Sequence, residues 1–303
     1  MAKTNAAVFF VTGKGGVGKS YLAETLARGA ARGGLRTVLV RTHAALVRAA
    51  AGPIGAAAGA TAAGPPKAVG DEDHDGLRTV DLDTRECLHD FLTRSLRFRF
   101  LSDRLMNSRT FSAVAAAAPG LADLVTLSAI TELARGRRHG VDFLVVDAPA
   151  SGHSLPLLAS PERILDLIGI GPAASIARTA REMITDADRC RALVVTLPEE
   201  LSLSEASLLS RDIRALGVRL APAVVNGVYP ELTDPEQRAW LEREAPSESA
   251  AIYLRTCARQ RELIEAFQRE VGATLSVPFS FSGQPTSDVD ATALVAKILE
   301  SAV

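Results

Sequence analysis

Hydrophobic and polar positions along this chain alternate between a buried-strand pattern and a helical one, and their order carries the first inference. Ala6 to Thr12 is an almost unbroken apolar run, which predicts a buried strand. Lys19 to Arg32 follows with Leu22, Leu26 and Ala30 at helical spacing, and Gly33-Gly34 stops it. Thr37 to Val40 predicts the second strand. Strand, glycine turn, helix, strand is a βαβ unit, which implies parallel pairing and a right-handed crossover. From Ala49 to Gly70 the chain turns to Ala, Gly and Pro, and Asp71, Glu72, Asp73 and Asp75 follow, so the stretch reads as a long loop. Leu77 to Asp81 predicts a third strand. Thr84 to Arg137 shows only helical patterning, broken at Pro119-Gly120, and reads as a helical insertion over residues 84–137 of a single domain spanning 1–303.

The apolar run Val141 to Val146 returns the chain to the sheet and ends at Asp147, where the carboxyl edge of a parallel sheet meets a ligand. Ala192 to Thr196 and Leu220 to Val225 repeat the strand pattern around a helix from about Ser202 to Leu216, closed by Gly217. A helix from Pro235 to about Glu270, a strand at Thr274 to Val277 and a last helix from Val289 to Ser301 complete the pattern. The fold class expected is α/β: a doubly wound, mostly parallel sheet with a small helical insertion and no internal repeat.

Composition narrows the setting. A chain of 303 residues can bury a full α/β core and carry a graft. With 34 basic and 35 acidic residues it has no field to select nucleic acid, and none is expected as a partner. Apolar residues make up 47%, yet no run of eighteen or more would cross a bilayer, so no integral membrane segment is expected. Met1 to Phe10 carries one lysine and enters the first strand without a cleavable signal pattern, which makes a cytoplasmic location the expectation. Cys87, Cys190 and Cys257 lie far apart, as reduced and buried thiols would.

The chemistry sits in the first glycine turn. Gly13, Gly18, Lys19 and Ser20 satisfy G-x-x-x-x-G-K-S between a predicted strand and a helix start, the context in which that pattern binds phosphate. Gly15, Gly16, Val17 and Gly18 offer backbone N–H groups to an anion, and the helix start adds a favourable dipole. Lys19 is expected to reach β- and γ-phosphate oxygens. Ser20 and Asp147 are the expected magnesium residues, one a hydroxyl and the other a carboxylate at a strand end. The expected ligands are ATP and Mg2+.

A second lysine, Lys14, narrows the class to deviant Walker A loops. The run from Thr12 to Ser20, with Asp147-Ala148-Pro149-Ala150-Ser151-Gly152-His153, resembles the ArsA-type ATPases, which include the arsenite-pump ATPase and the ATPase that guides tail-anchored membrane proteins. Pro198-Glu199-Glu200 and Val224-Val225-Asn226 extend the resemblance over nearly the whole chain, and Ala118-Pro119-Gly120-Leu121 draws it toward bacterial paired members. The resemblance implies a dimer, homodimer or heterodimer with a related ATPase, in which Lys14 reaches the partner's nucleotide; the bland alternative is a surface lysine. It implies that residues 147–153 form the switch sensing the γ-phosphate, with His153 either part of it or a satisfied structural histidine. It further implies that Tyr21 lies beside the α-phosphate, that Asn226 bonds the adenine edge unless it is a turn residue, and that a loop starting at Pro278-Phe279 covers the base.

Two departures matter. The family's acidic switch after the second strand is replaced by Arg41-Thr42-His43-Ala44-Ala45, which removes the carboxylate that orients water, and Tyr21 stands where a small residue is usual. The isolated cysteines do not form an arsenite trap, and three methionines do not make a methionine-rich client groove. Phe91, Phe98, Phe100 and Phe111, interleaved with Arg94, Arg97, Arg99, Arg104 and Arg109, suit either a small subdomain core or a partner surface. The reading is an ATP-hydrolysing dimeric switch acting on an unidentified protein client. Its alternative is a catalytically reduced ATP-binding scaffold paired with an active paralogue. Partition-type ATPases and iron-sulfur reductases share the loop, but Ala291 to Val303 has too little charge for a membrane anchor and no cysteine follows Asp147 within the switch.

Overall fold

Continuous apolar runs become the middle strands of one parallel sheet in the computed structural model, which describes residues 6–43, 76–84, 86–88, 91, 120–135, 140–230, 236, 239–240, 248–279, 294 and 296–298. β1 (Ala7–Gly13) leads through residues 14–18 into α1 (Lys19–Arg32) and then β2 (Thr37–His43). After them come β3 (Leu77–Asp83), α2 (Leu121–Ala134) and β4 (Phe143–Asp147). Two consecutive helices, α3 (Ser151–Leu167) and α4 (Pro172–Ile184), cross to β5 (Cys190–Thr196). The chain then forms α5 (Glu200–Ala215), β6 (Arg219–Leu220), β7 (Ala223–Val228), α6 (Glu248–Val271) and β8 (Thr274–Pro278).

The sheet order is β3-β2-β4-β1-β5-β7-β8, with β6 beside β5, and every pairing is parallel. Because successive side chains of a strand face opposite ways, the central strands feed two cores. Val8 and Phe10, Leu144 and Val146, Ala192 and Val194 face one core with α2, α3, α4, α5 and α6. Phe9 and Val11, Phe143 and Val145, Leu193 and Val195 face the other with Leu22, Leu26 and Ala30 of α1 and with Ile298. Phe9 and Phe143 meet there at 5.2 Å between ring centroids, and each such buried ring contributes about 3 kcal/mol through burial. Helices on both faces give the doubly wound α/β class. No helix among the described residues is long and apolar enough to cross a membrane.

β2 runs to His43 and β3 to Asp83, each beyond the apolar stretch that marks it in the sequence, because both are held in register by a parallel neighbour. The predicted strand Leu220 to Val225 is instead two strands, β6 and β7, broken at Ala221-Pro222. Pro222 has no N–H for a ladder, and Ala221 N bonds Ala192 O before the chain moves on to pair with β8. The expected loop over residues 49–70 and much of the predicted insertion 84–137 lie outside the described residues. So do most of the predicted helix Val289 to Ser301 and the first part of the one starting at Pro235.

α3 and α4 are absent from the sequence reading. Pro156 and Pro161 fall inside α3, where proline removes a donor. At Pro161 the lost donor is the one that bonds residue 157, and the Ser160 hydroxyl donates to the Leu157 carbonyl at 2.8 Å in its place. Burial of Leu157, Leu158 and Ile164 supplies the packing that keeps the helix whole.

At the amino end of the sheet, Arg36 clasps Asp142 with Nε and Nη2 donating to the two carboxylate oxygens at 2.8 and 2.7 Å. Those hydrogen bonds, and one from the Arg36 backbone N–H, hold the Asp142 carboxyl down at about 2. A depressed carboxyl stabilises the fold above its unfolded value, near 3.9, and the gain disappears as pH falls toward the folded value. Urea unfolding across pH should therefore show Asp142→Asn destabilising the chain above about pH 4, with the difference from wild type fading toward about pH 2. A difference that does not vary with pH would remove the carboxylate as its cause.

Candidate functional site

The carboxyl ends of β1, β4, β5 and β7 converge on residues 13–20. Gly13 ends β1 with φ 150, and a Cβ there would stand 2.1 Å from the Val195 carbonyl oxygen of β5. Only glycine lets β1 turn away so close to its neighbour. Gly18, with φ 92, precedes α1, and a Cβ there would meet the Asn226 amide nitrogen at 2.4 Å. The helix α1 begins without a side-chain cap or an acidic residue in its first turn. A helix start without such a cap is the arrangement that receives an anion.

Lys19 is 9% exposed, and its Nζ donates to the Lys14 carbonyl at 2.7 Å. Burial lowers its pKa, and the negative charge of Asp147 partly offsets that. An ammonium so placed gains from an incoming anion, which replaces hydration it has already lost. Asp147 ends β4 opposite Val11 of β1 and Arg41 of β2. Its carbonyl accepts from the Thr42 hydroxyl at 2.8 Å, which ties the ends of β2 and β4 together. The side-chain donors and acceptors of Ser20 and Asp147 are hard oxygens, the type that suits magnesium, and Lys19 with the loop N–H groups suits phosphate.

Asn226 reaches the same loop from β7, donating from Nδ2 to the Val17 carbonyl at 2.9 Å. One end of its amide thus braces the turn, and its oxygen remains as an acceptor. Tyr21 lies exposed in the first turn of α1. Phe279 is exposed and packs against Tyr229 at 5.5 Å between ring centroids, beyond the end of β8. Phe279 N donates to the Val228 carbonyl, which fixes Pro278 and Phe279 to β7, the strand that carries Asn226.

Lys14 is the exception to this convergence. Its Nζ turns to α5, donating to Glu205 Oε1 at 2.9 Å. Glu205 is a residue the sequence reading passes over, since an acidic position on a solvated helix face carries no local signal. Ser154 is likewise unread; the Thr12 hydroxyl donates to Ser154 Oγ at 2.6 Å and so joins β1 to the segment after Asp147. In that segment His153 is exposed. Burial raises the pKa of Asp123 on α2, against the pull of His153 and then Arg163. The side chains of His43 and Ser151 lie outside the description, as do residues 280–293.

Cys87, Cys190 and Cys257 are free and buried. Burial pushes the Cys190 thiol far above its ordinary value, which disfavours the thiolate that soft-metal capture needs. Among the described residues no group of His, Cys, Asp or Glu is clustered to hold a metal by itself.

The family model described as anion-transporting ATPase matches residues 6–170, from the start of β1 to just beyond α3. A putative arsenical pump-driving ATPase of Halobacterium salinarum is 28% identical over 241 residues, covering 73% of this chain and 35% of its own length. An arsenical pump-driving ATPase of Acidiphilium multivorum is 25% identical over 294 residues, 91% of this chain and 45% of its own. A putative arsenical pump-driving ATPase 2 of Aquifex aeolicus is 22% identical over 253 residues, 74% of this chain and 81% of its own. This chain thus spans less than half the length of the first two relatives.

Proposed function

The chain belongs to the anion-transporting ATPase family, and on that premise we propose that it binds ATP with magnesium at residues 13–20 and hydrolyses it as a two-copy switch. The observation that carries this reading is the buried Lys19 ammonium, held beside Asp147 where the glycine turn meets the uncapped start of α1. In this reading Lys19 and the N–H groups of Gly15, Gly16, Val17 and Gly18 take the β- and γ-phosphates. The Ser20 hydroxyl and the Asp147 carboxylate hold magnesium, which when bound neutralises phosphate charge and polarises the terminal phosphoryl group. Tyr21 borders the α-phosphate. Asn226 offers its remaining amide oxygen to the adenine edge while its nitrogen keeps Gly18 in place. Pro278 and Phe279 flank the base, and Lys14 serves the nucleotide of a second copy.

Residues 147–153 would respond to the γ-phosphate. The Thr42 link to the Asp147 carbonyl and the Thr12 link to Ser154 give such a response two routes into the sheet. For water activation, β2 ends in Arg41-Thr42-His43, and the Thr42 hydroxyl is spent on a carbonyl. His43 is then the group in that stretch able to accept a proton. The same observation favours the second reading, an ATP-binding scaffold paired with a more active relative. The relatives' names speak of arsenical pumps; buried cysteines here do not support arsenite capture, so the proposed output is a change of shape passed to a protein client.

Phosphate release from magnesium ATP, measured on the wild-type chain and on His43→Asp with Lys19→Ala as the blank, separates the two. Release above the blank by wild type supports the switch and ends the scaffold reading. Wild type at the blank, with release gained in His43→Asp, establishes the scaffold reading instead. Neither protein above the blank, with no ATP bound, would end both.

A further inference from the structure

We propose that Glu205 is the resting counter-ion of Lys14: it holds that lysine within its own chain, and pairing of two nucleotide-bound copies opens the bond. This rests on the reading of Lys14 as a residue given to a partner copy. Lys14 is held at two points. Its Nζ donates to Glu205 Oε1 at 2.9 Å, and its carbonyl accepts from Lys19 Nζ at 2.7 Å. The two lysines of the loop are therefore linked in series, so that moving Lys19 onto a phosphate loosens the backbone from which Lys14 reaches Glu205.

The acceptor is on a fixed element and the donor on an adjustable one. Glu205 lies 191 positions along the chain, on a helix anchored by the buried Ser202. Ser202 Oγ accepts from the Leu197 N–H at 3.2 Å and lies 2.9 Å from Thr196 Oγ1. Leu203, Ala206 and Leu209 are buried as well and fasten α5 to the core. Lys14, in contrast, precedes Gly15 and Gly16, around which an added Cβ would meet nothing within 4 Å. The Lys14 side chain, itself part-exposed, can leave Glu205 by rotating toward solvent.

Exposure sets the strength. The two side chains are 38% and 39% exposed, so solvent screens the pair and it can be opened by competing phosphate charge. A pair of this kind shifts an equilibrium by roughly 1.4- to five-fold, and two open when two copies meet. Removing the acceptor should therefore lower the protein concentration at which pairing is half complete by about two- to twenty-five-fold. Glu205 is a positioning residue in this account. It touches Lys14 and not the reacting phosphate.

The test is sedimentation of the full chain over a dilution series with magnesium and a non-hydrolysable ATP analogue, for wild type, Glu205→Gln, Glu205→Asp, Lys14→Gln and the Lys14→Gln/Glu205→Gln double variant. Both Glu205 variants should pair at lower concentration than wild type, the shorter aspartate because it no longer reaches Nζ. In the Lys14→Gln background the Glu205 change should make no difference, which a merely structural role would not produce. Unchanged or higher midpoints in both Glu205 variants, or a shift that persists without Lys14, would overturn the proposal while leaving the dimer reading in place. A wild-type chain that binds the analogue and stays single at every concentration, as do the variants, would overturn the dimer reading and this proposal together.

Discussion

Lys19→Ala is expected to weaken ATP binding by at least about tenfold and up to about a hundredfold, the largest functional effect of a single side chain here. The expectation follows from burial. An exposed lysine exchanges water for phosphate with little net gain, whereas Lys19 is 9% exposed and has already given up most of its hydration. Its charge is maintained against burial in part by Asp147, and its hydrogen bond is to the neutral Lys14 carbonyl. A phosphate oxygen is a better partner, because a hydrogen bond between two ionised groups is roughly twice as strong as a neutral one. Alanine removes that gain. Calorimetric titration of magnesium ATP into wild type and Lys19→Ala measures the effect directly. Equal affinities would mean that the nucleotide does not lie where the loop and Asp147 converge.

Gly13→Ala should produce the largest loss of stability, about 3 kcal/mol in urea unfolding. Two costs add. The backbone at Gly13 has φ 150, in a region that side chains rarely adopt, and the new Cβ would stand 2.1 Å from the Val195 carbonyl oxygen. That oxygen belongs to the backbone of β5, whose Val195 is the registered partner of Gly13, so relief requires β1 and β5 to spread at the centre of the sheet. Gly15→Ala is the natural comparison. No atom lies within 4 Å of its added Cβ, and its change in stability should stay below about 1 kcal/mol. If both variants unfolded at the same urea concentration, the close approach of β1 to β5 would not be what requires glycine at residue 13.

By itself the sequence determined what depends on neighbours along the chain. The apolar run of β1, the glycine turn and the helical spacing of Leu22, Leu26 and Ala30 are adjacent in sequence, so the first βαβ unit and its glycine turn were legible residue by residue. The end of β4 at Asp147 was legible for the same reason. The α/β class followed, since buried strands alternating with helices have few ways to close.

Other features had no local signal. Pro156 and Pro161 break the helical pattern of α3, and what restores it is the Ser160 hydroxyl on the Leu157 carbonyl together with packing against the sheet. Pro222 divided a strand that looked continuous, because whether a residue must donate to a ladder depends on which strand lies beside it. Asn226 meets Val17 across 209 positions and Glu205 meets Lys14 across 191. Such pairs depend on strand order and on the face to which each crossover returns, set by the packing of two cores and not by any one segment. The sequence therefore determined the strand, the glycine turn and the helix that follows it, whereas the partners that brace Gly18 and hold Lys14 were decided only when β5, α5 and β7 were laid beside β1, since contact between distant residues is a property of the packed chain.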